Sequence, residues 1–98
     1  MDITSLVLEL QKAQDDYGRR LAALSDPELG VYKAALQRLR ASAQALLDEN
    51  HALLPGEFKS ECLEGATLNS LRRELLRVYE EMEQRGFVRA PKSSPDPE

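Results

Sequence analysis

Two long stretches of the chain place apolar side chains in alternating steps of four and three, a spacing that suits helices and not strands. In the first stretch, Ile3, Val7, Leu10, Gln14, Tyr17, Leu21 and Leu24 fall on one face. In the second, Leu29, Tyr32, Leu36, Leu39, Ala43, Leu46, Asn50 and Leu53 do the same. Such a stripe keeps one side of a helix turned to a partner. The pattern predicts helices over residues 3–24 and 27–54. Asp2 or Thr4 supplies the first N-cap. Gly18 is a weak point in mid-helix, costing about 1 kcal/mol against alanine. Between the stretches stands Ser25-Asp26-Pro27-Glu28. Asp26 suits the N-cap, and Pro27 the first helical position, where no amide hydrogen is needed. Glu28 suits the positive end of the helix dipole. A connection this short folds the two helices back as an antiparallel hairpin.

The second helix carries another apolar set beside the first: Val31, Ala34, Ala35, Ala41, Ala45, Leu47 and Leu54. Two stripes serve two neighbours, so this helix is expected at the centre. Pro55-Gly56 should stop it in a turn whose glycine takes a positive φ. A third helix is predicted over 67–85, with Thr67 as N-cap and Leu68, Leu71, Leu75, Val78 and Met82 at the same spacing. Within the connection 55–66, Ser60 to Leu63 reads as one helical turn, and Phe58 and Leu63 as the residues that pin the connection onto the hairpin. Gly86 reads as a left-handed C′ residue, with Phe87 reaching back to Met82. No strand pattern or internal repeat occurs. The fold class is therefore all-α. An antiparallel hairpin of two long helices takes a shorter third helix, as a three-helix, coiled-coil-like bundle over residues 1–88. Residues 89–98 are Pro-rich and read as a disordered tail.

Composition narrows the function. A chain of 98 residues makes one small domain, which buries only about 60–65% of its unfolded surface. Aromatic residues are few: three Tyr, two Phe and no Trp, so Leu and Ala carry the core. The net charge of −4 is neither the polybasic footprint of a nucleic-acid binder nor a polyacidic tail. A single cysteine allows no internal disulfide and points to a reducing, cytoplasmic setting. The start MDITSLVLELQK lacks the basic residues and long apolar core of a signal peptide. No apolar run approaches the roughly twenty residues of a membrane span.

His51 and Cys62 are the only residues of their kinds. A structural zinc site needs four ligands, usually in close pairs, and Asp48, Glu49 and Glu61 are poor substitutes. A Cys–His nucleophile needs a third group to orient the base. Asn50 is next to His51 in sequence, so on a helix it points about 100° away. The adjacent acids Asp15-Asp16, Asp48-Glu49 and Glu80-Glu81 diverge and make no facing carboxylate pair. No phosphate-binding glycine loop or hydrolase motif occurs. No catalytic, cofactor-binding or metal residue is assigned, and no small-molecule substrate or enzyme activity is read. His51 reads as a last-turn group that satisfies free carbonyls, and Cys62 as a half-buried small hydrophobe. Gln14 and Asn50, the polar breaks in the stripes, read as residues where the stripe meets solvent, with register control by a buried amide as the alternative.

Apolar surface left over from one neighbour points to a non-catalytic protein–protein interaction module that self-associates or packs on a partner helix as an assembly or adaptor subunit. The residues expected to bind are Val31, Ala35, Leu47, Leu54, Phe58, Leu63, Leu76 and Tyr79. The alternative is a small regulatory or assembly subunit that contacts nucleic acid through Arg38, Arg72, Arg73 and Arg77. Against it, Arg77 lies three residues from Glu74 and four from Glu81, and Glu80, Glu81 and Glu83 repel a phosphate backbone. The stretch LRRELLRVYEEMEQRGFVRA resembles the recognition helix and wing start of a winged helix-turn-helix domain. The long helix upstream and the proline-rich end downstream do not fit that pattern, so no family is assigned.

Overall fold

The computed structural model describes residues 2–86. The expected contact of Phe87 with Met82 and the expected tail over 89–98 lie outside the described residues. Among the described residues every regular element is helical. None of these helices is long and apolar enough to cross a membrane.

Helix α1 spans Ile3–Ala13, and the Asp2 carboxylate caps it by accepting from the Ser5 amide at 2.8 Å. The chain then widens into a π turn over Gln14–Gly18 and, after a break, a 3-10 turn over Leu21–Ala23. The single helix expected over 3–24 is thus interrupted: Arg20 leaves helical geometry at φ −138°, ψ 75°. Close packing accompanies the break. A Cβ on Gly18 would lie 2.7 Å from Tyr32 Oη and 2.8 Å from Glu74 Oε2. Glycine there is therefore a condition of the packing and not merely a weak point. A helix that ends early leaves carbonyls without partners. Two arginines from the far end of the chain bond carbonyls of this segment: Arg77 Nη2 donates to the Gly18 carbonyl at 3.1 Å, and Arg85 Nη2 at 2.8 Å to that of Leu21, which also accepts from the Leu24 amide at 3.1 Å.

Helix α2 spans Asp26–Asn50. Its N-cap is Ser25 and not Asp26. Ser25 Oγ accepts from the Glu28 amide at 3.2 Å while the Glu28 carboxylate accepts from the Ser25 amide at 2.9 Å, a capping box with Pro27 inside the first turn. The helix stops at Asn50, short of the expected Leu54. Pro55 disfavours a helical Leu54, and its ring would collide with the His51 carbonyl one turn back. That carbonyl accepts instead from Leu54 N at 3.0 Å.

Pro55-Gly56 is not a type II turn. The glycine with positive φ is Gly86, at +83°, in the C′ position expected of it. Gly56 opens the short helix α3, Gly56–Lys59, so the single helical turn lies there and not at Ser60 to Leu63. Helix α4 spans Leu63–Gln84 and starts before Thr67, which is buried within it. Its cap is Cys62: Sγ accepts from the Gly65 amide at 3.3 Å and donates to the Lys59 carbonyl at 2.8 Å. Gly65 allows α3 to sit on the first turn of α4, since a Cβ there would fall 1.8 Å from Lys59 O.

Helix α2 packs on both α1 and α4, which also meet each other. The core comprises Leu6, Leu10 and Leu21 from the first segment, Leu29, Tyr32, Leu36, Leu39, Ala43 and Leu47 from α2, and Leu68, Leu71, Leu75 and Val78 from α4. Leu6, fully buried, was not on the expected stripe. Towards the end of α2 the buried positions run Leu39, Ala43, Leu47, while Leu46 is half-buried and Leu53 is 99% exposed. Leu29 and Leu47 share a face because they lie about five full turns apart at 3.6 residues per turn. The stripe therefore follows a straight helix and not the 3.5-residue period of a coiled coil.

The glycines provide a paired test. Gly65→Ala forces α3 away from α4 and is expected to cost about 3 kcal/mol or more in urea unfolding. Gly30→Ala, where an added Cβ meets nothing within 4 Å, should stabilise α2 by up to about 1 kcal/mol.

Candidate functional site

Two polar clusters and one run of exposed apolar residues stand out. The first cluster lies mid-molecule. Tyr32 on α2 is fully buried and donates its hydroxyl to Glu74 Oε2 on α4. Arg77 Nη1 reaches Glu74 Oε1 at 2.5 Å while its other nitrogen holds the Gly18 carbonyl. Burial above all, and then the bond to the Glu74 carboxylate, push the Tyr32 phenol far above its ordinary value, so it stays a neutral donor. Tyr17 stacks against it with ring centroids 5.8 Å apart. This cluster ties three segments together, and its tyrosine has no access to solvent.

The second cluster sits where α2 ends and α4 begins. Glu64, in the first turn of α4, is buried. His51, the C-cap of α2, places Nε2 2.8 Å from Glu64 Oε1, and Asn50 Nδ2 donates to Glu64 Oε2 at 3.3 Å. Burial is the strongest single influence on this carboxyl and raises its pKa. Its own backbone amide, His51 and Asn50 together outweigh that and hold it below the usual glutamate value. Cys62 joins them: His51, Cys62 and Glu64 each offer a ligand atom, all within 4.8 Å of one another.

Glu64, and not Asp48, Glu49 or Glu61, is the acid beside His51 and Cys62. The signal that would have found it is the helix start. With Cys62 as cap, Glu64 falls in the first turn, next to the end of the antiparallel neighbour. Asn50 does not orient His51, as expected. Both residues instead bond the same carboxylate.

The residues expected to bind a partner are dispersed. Val31 on α2, Leu76 and Tyr79 on α4, and Leu54, Phe58 and Leu63 around the α2–α4 joint are exposed. Ala35 is half-buried. Leu47 is buried in the core, where the 3.6-residue period of α2 puts it, and so is not a surface residue of this chain. Phe58 and Leu63 do not pin the joint: they are 51% and 55% exposed, and Gly65, Cys62 and the His51–Glu64 pair hold it instead. Leu8 is exposed as well, and so is Leu53, which was expected on the inward stripe of the second helix but lies beyond its end. A groove of about 290 Å³ between α1 and α4 runs past Val7, Leu10, Leu63 and Ala66.

The arginines do not form one face. Arg38 pairs with Glu9 on α1 at 3.3 Å, and Arg77 is held in the Glu74 cluster. Arg85, and not Arg77, pairs with Glu81. Arg72 and Arg73 are exposed on α4, and Arg72 shares a shallow groove with Arg40, Leu76 and Tyr79.

Tyr32→Phe leaves Glu74 short of a donor and should cost about 1–3 kcal/mol in chemical unfolding. Glu64 gives a pH signature. Its folded-state pKa lies below the ordinary glutamate value of 4.5, so its contribution to stability is present above that value and is lost as pH falls through the folded-state pKa. Glu64→Gln should therefore lower stability at neutral pH, and the gap to the parent chain should close in acid; unfolding midpoints across a pH series measure this.

Comparison with known proteins adds no relative: no family model matches the chain, nor does any characterised protein or solved structure.

Proposed function

We propose that this chain is a non-catalytic helical interaction module that self-associates through the α2–α4 joint. The observation that carries the reading is the apolar surface of that joint. Leu53, Leu54 and Phe58 in the connection and Leu63 at the start of α4 are all exposed, Leu53 at 99%. The core already has its leucines, and these four have no place in it. Large apolar residues left exposed this close together in the chain mark a site of association. Aromatic and large aliphatic residues are the groups that anchor interfaces. A second copy is the natural occupant, because a two-fold contact sets the same patch against itself and doubles the apolar area removed from water.

Nucleic-acid contact is the weaker reading. Two of its four arginines, Arg38 and Arg77, are engaged by Glu9 and Glu74. That leaves Arg72 and Arg73 on a chain of net charge −4.

Sedimentation velocity over a wide concentration range is the test. The parent chain should show a mass that rises with concentration towards a dimer. Leu53→Glu with Phe58→Glu should sediment as a monomer with unchanged helical circular dichroism, since neither side chain belongs to the core. A parent chain that stays monomeric at every concentration would overturn the proposal.

A further inference from the structure

Three side chains of different donor type meet at the α2–α4 joint, and none of them comes from the apolar surface just described. His51 offers an imidazole nitrogen, Cys62 a sulfur and Glu64 a carboxylate oxygen, with the three atoms within 4.8 Å of one another. We propose that they form a binding site for a divalent transition-metal ion of borderline softness, Zn²⁺ foremost.

The geometry is close to what such an ion requires. Zinc takes sulfur at about 2.3 Å and nitrogen or oxygen at about 2.0–2.2 Å, which puts tetrahedral ligand atoms roughly 3.3–3.6 Å apart. His51 Nε2 and Glu64 Oε1, now 2.8 Å apart, open slightly to admit the ion, and Cys62 Sγ closes by a rotation about its own side-chain bonds. Three protein ligands leave a fourth position for water, reached from the partly exposed sides of His51 and Cys62. A nitrogen–sulfur–oxygen set disfavours Ca²⁺ and Mg²⁺, which take oxygen ligands.

Charge and support also agree. The thiol gives up its proton to solvent on binding, so one thiolate and one carboxylate balance the two charges of the ion. Both anions sit at the start of α4, where the helix dipole favours them. The Gly65 amide already points at Sγ at 3.3 Å and goes on holding the thiolate. Asn50 stays on Glu64 Oε2 and fixes the carboxylate from outside. The backbone is set in advance. Gly65 lets Lys59 and Ser60 pack against the first turn of α4, which places Cys62 at the mouth of the cluster; the bond from its thiol to the Lys59 carbonyl is given up with the proton when the ion binds.

The test uses the full chain, reduced and stripped with a chelator, and titrated with Co²⁺ alone as the probe. A single equivalent should saturate it, with the visible absorption of tetrahedral cobalt and a sulfur-to-cobalt charge-transfer band in the near ultraviolet. Zn²⁺ should then displace the cobalt, and the thermal midpoint should rise with metal. Cys62→Ser should abolish the charge-transfer band. His51→Ala and Glu64→Gln should each weaken binding at least about tenfold, and Asn50→Ala about tenfold. Glu57→Gln, outside the cluster, should change nothing. A parent chain whose cobalt complex lacks the sulfur band overturns the proposal, and that measurement needs no variant to fold. Zn²⁺ binding that is equally tight in Cys62→Ser and the parent chain overturns it too.

Discussion

A carboxylate taken out of water must find its hydrogen bonds inside the protein, and Glu74 is such a carboxylate, only 5% exposed. Tyr32 from α2 takes one oxygen and Arg77 the other. Arg77 stretches past Glu74 to the Gly18 carbonyl, so the first segment is drawn into the same arrangement. The tyrosine hydroxyl and the carboxylate fill the space beside Gly18 that a side chain would occupy. Beside the break in the first helix, the carbonyls of Gly18 and Leu21 accept from Arg77 of α4 and from Arg85 at its C-cap.

Glu64 repeats the pattern one end away. It is buried at the start of α4, and its oxygens go to His51 and Asn50 at the end of α2. The pair of helices is therefore tied by buried polar groups at two levels, with Leu36, Leu39, Ala43, Leu68 and Leu71 in the core between them. Apolar packing is nearly indifferent to a slide of one turn, whereas two buried carboxylates are not, because a slide would leave each without its donors. Glu64 and Glu74 thus tie α2 to α4 in one alignment. Asn50 is exposed and donates to Glu64 from the rim, so it is not the buried amide that register control calls for. Gln14 lies half-buried in the π turn.

The α2–α4 joint brings two features together. On the outside it carries Leu53, Leu54, Phe58 and Leu63, and at its inner edge the His51, Cys62 and Glu64 donors. The two features share a backbone. Pro55 ends α2 early, and Gly65 lets α3 fold down on α4. The apolar residues of the connection are left facing outward, while His51 and Cys62 at its two ends stand half-buried beside Glu64. Self-association would use the outer side, and a metal ion would brace the inner one.

The amino-acid sequence by itself determined that this chain is helical, roughly where its helices lie, and that they fold back on one another. Those properties are local: the apolar period, Ser25 three residues before Glu28, and Gly86 at a helix end each act within a turn or two of chain. It also placed α2 at the centre, because two apolar stripes on one helix need two neighbours. Tertiary structure alone decided the break at Arg20, the burial of Leu6 and the meeting of His51 with Glu64, which depend on residues far apart in the chain. The early end of α2 before Pro55 and the cysteine cap of α4 are local, although the apolar period did not show them. The close approach at Gly18 exists only once α2 and α4 are packed beside it, whereas Gly65 meets Lys59 and Ser60 a few residues away. A carboxylate reveals its partners only when its helix has a neighbour to supply them.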